Sequence, residues 1–113
     1  LDEAAHRRVG QYEWFKNAAA VLSQKQADIK VFQGRIDRLK SDYEGFARKG
    51  WSRTDKEQMS IWESEVAGVK ASYNSLAAEY NAASSKFNWA YVEGELPPGS
   101  ERLPRNIKPY IEE

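Results

Sequence analysis

The chain has 113 residues, with 17 Lys+Arg, 17 Asp+Glu, a single His and no Cys. The zero net charge removes the broad field that drives nucleic-acid binding, and the missing cysteines exclude a disulfide scaffold, a thiolate metal site and a Cys nucleophile. At 41% hydrophobic and 30% charged, the chain is too apolar for disorder and too charged for a membrane span, and its length suits one domain.

From the N-terminus, the chain begins at Leu1 rather than Met, which fits removal of a leader, tag or anchor. The compartment is otherwise open, with an extracytoplasmic or envelope setting favoured. Apolar residues then repeat every seven positions. Phe15, Leu22, Ile29, Ile36 and Tyr43 form one series; Ala18, Lys25, Phe32, Leu39 and Phe46 form a second, offset by three. Such 3-4 spacing places both series on one stripe of a helix, expected over about residues 2–49, and reads as the a and d positions of a coiled coil. Lys25 is the polar break, with its stem along the seam and its head in water.

Lys49-Gly50 ends this helix in the sequence reading, with Gly50 as the left-handed residue and Arg48 and Lys49 at the negative end of the dipole. Thr54-Asp55-Lys56-Glu57 reads as a capping box for the next helix, expected over about residues 55–92. Stop and start signals this close together imply a helical hairpin. The second helix repeats the pattern with Met59, Val66, Tyr73, Tyr80 and Phe87, and with Trp62, Val69, Leu76, Ala83 and Ala90. Pairing Phe46 with Met59 makes facing residue numbers sum to 105, so that Lys25 meets Tyr80 and large residues meet small ones where Phe15 faces Ala90.

Tyr73-Asn74, Tyr80-Asn81 and Phe87-Asn88 form an echo at intervals of seven. The three Asn lie along one edge of the seam, where they read as polar surface or as hydrogen-bonding groups for a neighbouring chain. This spacing, over residues 73–88, resembles the end of LemA-type bacterial membrane-associated helical proteins. The first helix contains no counterpart of that family's Leu-Ile-Pro-Asn-Leu type motif, and a heptad coiled coil produces the same echo by itself.

All four prolines fall in the last 17 residues. Gly94 is the expected helix stop, Pro97-Pro98 forbids continuation, and Pro98-Gly99 suggests a turn. Residues 95–113 are therefore an extended, Pro-rich tail. Its Leu96, Leu103, Ile107, Tyr110 and Ile111 suit folding back over Tyr12, Trp14, Trp89 and Tyr91; the competing reading is a docking segment that orders on a partner.

No motif for catalysis or cofactor binding is present: there is no P-loop, GxGxxG, HExxH or CxxC. Glu63 and Glu65 sit two apart and point to different helix faces. Asp2, Glu3 and His6 read as a polar helix start, not a metal site. Arg7-Arg8 and Arg48-Lys49 are too small and too far apart for a nucleic-acid patch. The aromatics outside the seam are the candidate interaction residues: Trp51 with Arg53 at the hairpin tip, and Tyr12, Trp14, Trp89, Tyr91 and Tyr110 elsewhere. For Trp51 the other reading is packing that closes the tip against Tyr43, Phe46 and Trp62.

The expected fold is all-α: a long antiparallel two-helix coiled-coil hairpin (1–94) with its Pro-rich tail (95–113) folded back on it. The expected function is non-catalytic, a structural or protein-interaction module that self-associates or is built into a larger assembly. It has no cofactor, no metal, no nucleic-acid partner, no evident small-molecule substrate and no membrane span. The alternative is an adaptor or accessory subunit of a membrane, envelope or transport complex, binding through the tip or the tail.

Overall fold

The structure, a computed structural model, describes residues 3–96 and 102–110, leaving aside the side chains of residues 4–6. The regular secondary structure of the described residues is all helical, without strands. Helix α1 spans Glu3–Asp42, α2 spans Arg53–Ser84 and α3 spans Trp89–Glu95. Among the described residues no helix is long and apolar enough to cross a membrane. The chain forms two compact units, one of residues 24–73 and one of residues 1–23 with 74–113.

In the 24–73 unit, the second part of α1 and the first part of α2 pack through Ile29, Ile36, Met59, Val66 and Tyr73, all buried. These belong to one heptad series of each helix. The other series (Phe32, Leu39, Trp62 and Val69) is only half-buried. Burial is thus concentrated on one row per helix, as expected of two helices that lack a third to cover the flank.

The register differs from the expected one. Lys25 Nζ donates to Ser72 Oγ at 2.7 Å and Gln26 Nε2 to Tyr73 Oη at 3.0 Å. Facing positions within this unit therefore sum to about 98, one heptad short of 105, and Lys25 faces Ser72. The cause lies in the turn, where both helix ends fall earlier than expected. The first helix stops at Asp42, not near 49. Tyr43 N–H and Glu44 N–H bond back three residues to Lys40 and Ser41, and Gly45 then takes φ +85°. Gly45, not Gly50, supplies the left-handed residue; Gly50 ends a short 3₁₀ turn, Arg48–Gly50. Phe46 consequently leaves the seam and is 68% exposed.

The start of α2 is also displaced. Ser52, not Thr54, is the cap: its Oγ accepts from Asp55 N–H at 3.1 Å and its carbonyl from Lys56 N–H at 3.0 Å. Glu57 pairs instead with Arg53 at 3.1 Å.

In the other unit, Phe15, Ala18, Leu22, Ala77, Tyr80, Trp89 and Val92 form the core. Here too α2 ends sooner than expected, at Ser84 rather than near 92. Lys86 N–H and Phe87 N–H bond back to Ala83 and Ser84, closing a tight turn. Trp89 Nε1 donates to Ser84 O at 3.2 Å and Oγ at 3.0 Å, taking the carbonyl a continuing helix would use. Asn88 restarts the helix as N-cap of α3, its side chain accepting from Tyr91 N–H at 3.2 Å. Phe87 and Ala90 therefore do not extend the α2 rows. Phe87 joins an aromatic cluster in which its ring centroid lies 4.8 Å from Phe15 and 4.9 Å from Trp89.

Candidate functional site

Trp51, which the sequence offers either as a docking residue or as packing that closes the tip, is buried. Its ring stacks on Tyr43 at 4.5 Å and 14°, and the Arg48 guanidinium lies 5.4 Å from its centroid. Tyr43 Oη donates to Asp55 Oδ2 and accepts from Ser52 N–H at 3.2 Å. Trp51 thus closes the turn between α1 and α2 and has little face left for a partner. Arg53 is highly exposed and is paired with Glu57.

The remaining candidates share the unit of residues 1–23 and 74–113. Trp89 is buried, a core residue rather than surface. Trp14 and Tyr91 stay exposed at 36% and 44%, and Tyr12 is half-buried. Arg8 stacks its guanidinium on Tyr91, 4.2 Å from the centroid. Arg8, Val9, Tyr12, Tyr91, Val92 and Leu96 line an open cleft of about 330 Å³. Together with the exposed Val9 this is a mainly apolar surface rimmed by charge.

Tyr110 leads to the most organised feature of the unit, the row of Asn on α2. Asn74 Nδ2 donates to Tyr110 O at 2.9 Å, while its Oδ1 accepts from Tyr110 N–H at 2.7 Å. Asn81 does the same for Ile107, donating to the carbonyl at 2.8 Å and accepting from the N–H at 2.7 Å. A carboxamide carries a donor and an acceptor side by side, so it completes both main-chain groups of one extended residue. The spacing matches as well. Seven helical residues advance about 10.5 Å, and three residues of extended chain advance about 9–10 Å. One Asn per heptad therefore meets every third residue of the segment.

Further bonds fix residues 102–110 against α2. Ser84 Oγ donates to Arg105 O at 2.6 Å, and Tyr80 Oη donates to the Pro104 carbonyl. Arg105 pairs with Glu93 at 3.0 Å. Tyr80 is fully buried and meets Phe15 edge-on at 5.1 Å. Burial, and then the neighbouring Tyr12, push the Tyr80 phenol up to about 12, keeping it a neutral donor. The third Asn of the echo, Asn88, is not part of the ladder because it caps α3.

The sequence showed the Asn periodicity but not its use, since nothing in local spacing says that the tail lies where the carboxamides reach. Pro97, Pro98, Gly99 and Ile111, expected to shape the turn and the end of the tail, lie outside the described residues, as do Asp2 and the side chain of His6. Among the described residues no group of three or more His, Asp or Glu could hold a metal ion. Comparisons of the chain with protein-family models, with curated proteins and with solved structures find no match.

Proposed function

We propose that this chain is a non-catalytic protein-interaction module, a coiled-coil-like helical hairpin carrying an extended proline-containing tail, that associates with itself or within a larger assembly. The observation that carries this reading is how the polar groups of the 1–23 and 74–113 unit are used. Asn74, Asn81, Ser84 and the Tyr80 hydroxyl are committed to holding main chain. Beside them Val9, Trp14 and Tyr91 leave apolar and aromatic area in water. Aromatic side chains with Arg, here Arg8 stacked on Tyr91, are enriched at binding hot spots.

Sedimentation of the full chain over a concentration series tests the proposal. Association is expected, and it weakens at least tenfold in Trp14→Glu/Tyr91→Glu while circular dichroism stays helical. A monomer at every concentration refutes self-association. An adaptor reading is the alternative, supported by Phe46, which the turn between α1 and α2 leaves exposed. In that case Phe46→Ser abolishes partner capture without loss of fold.

A further inference from the structure

We propose that the Asn74–Asn81 ladder is a site that reads main chain and takes an extended segment from a second copy of this chain, with residues 102–110 exchanged between two copies. This rests on the self-association reading above and names the part of the chain that carries it.

Three observations lead there. First, hydrogen bonds from α2 hold the segment by its main chain, at Pro104 O, Arg105 O and both groups of Ile107 and Tyr110. A second copy's segment offers the same atoms in the same order, so exchange conserves all of these bonds and concentration sets the balance.

Second, charge favours this occupant. Residues 102–110 carry Arg102, Arg105 and Lys108 and no acid, and Glu93 already pairs with Arg105 across the site. A neutral or acidic extended segment would leave Glu93 without its cation.

Third, exchange would cover what is now exposed. Five residues join Leu96 to Arg102, and a chain of that length reaches no more than about 22 Å. A copy that receives the segment must therefore approach the end of α3. The exposed Tyr91 and the cleft it lines with Val9 and Leu96 lie there. Reciprocal exchange about a two-fold axis brings these surfaces of the two copies toward each other.

Isotope-filtered NMR on the unmutated chain tests this directly. Copies labelled with ¹⁵N are mixed with copies labelled with ¹³C at a concentration where sedimentation shows dimer. Contacts between the Asn81 carboxamide of one label and Ile107 of the other are expected. A dimer whose Asn81–Ile107 contacts are all within one label overturns exchange while leaving self-association standing. A chain that stays monomeric at about 1 mM overturns both.

Complementary variants give the second measurement. Ile107→Pro lacks the N–H that Asn81 accepts but keeps the ladder; Asn74→Ala/Asn81→Ala lacks the ladder but keeps the segment. Mixed full-length, these should form a 1:1 complex at least tenfold tighter than either alone. If the folded pair sediments as the sum of two separate species, exchange is wrong.

Discussion

Replacing Asn81 by Ala removes one rung of the ladder and leaves Ile107 without either main-chain partner. Each such hydrogen bond contributes about 0.5–1.5 kcal/mol net, so the loss is about 1–3 kcal/mol. Two effects reduce it. Asn81 is half-buried, so water recovers part of the bonding, and Ala favours the helix over Asn by roughly 0.6 kcal/mol. The exposed Asn17→Ala in α1 measures the propensity gain alone and is expected to be stabilising. The difference between the two variants in urea unfolding then isolates the rung, at about 1.5–2.5 kcal/mol. Hydrogen exchange supplies an independent reading. The Ile107 amide should lose at least tenfold of its protection, and the Tyr110 amide part of its own, because both rungs hold one segment. For the same reason the Asn74→Ala/Asn81→Ala pair should cost less than the sum of the single variants. If Asn81→Ala matches Asn17→Ala within about 0.3 kcal/mol and leaves Ile107 protected, the ladder does not hold the segment in solution.

Tyr80 predicts a dependence on alkaline pH. Its folded pKa lies above the unfolded value of about 10, so its contribution is whole below pH 10 and is lost as pH rises toward 12. That rise corresponds to roughly 2–3 kcal/mol. Tyr80→Phe should lose about 1 kcal/mol at neutral pH, from the bond to Pro104, and should lack this alkaline step. At the turn, Gly45→Ala should cost about 1–2 kcal/mol, from the left-handed backbone, because beyond its chain neighbours no atom lies within 4 Å of the added methyl. Phe46→Ser should change stability by less than about 0.5 kcal/mol, whereas a seam Phe would cost several-fold more. Thermal unfolding monitored by circular dichroism checks both turn variants.

The heptad spacing made the two long helices and the buried row legible: Phe15, Leu22, Ile29, Ile36, Met59, Val66, Tyr73 and Tyr80 are all buried. What it missed depends on contacts that spacing does not encode. The register moved by a heptad because Tyr43 leaves the helix to stack on Trp51 and bond Asp55, which makes Gly45 rather than Gly50 the turning point. The break after Ser84 carries no Gly or Pro; it is held by the Trp89 indole and the Asn88 cap, each of which needs the fold around it. Of the candidate interaction residues, Trp51 and Trp89 are buried, which spacing could not decide, since a large aromatic reads the same in sequence whether its face meets solvent or core.

Pro104 has a second role, as a stop against slippage. A repeating ladder invites error, because moving the segment by three residues would bring new main chain opposite each Asn. In one direction that shift puts Pro104 opposite Asn81, and proline has no N–H to give Asn81 Oδ1. The misaligned state would strand the acceptor and forfeit half the rung. In the native alignment Pro104 needs only its carbonyl, which Tyr80 satisfies. A residue that cannot donate therefore helps to keep two equally spaced rungs from being read out of phase.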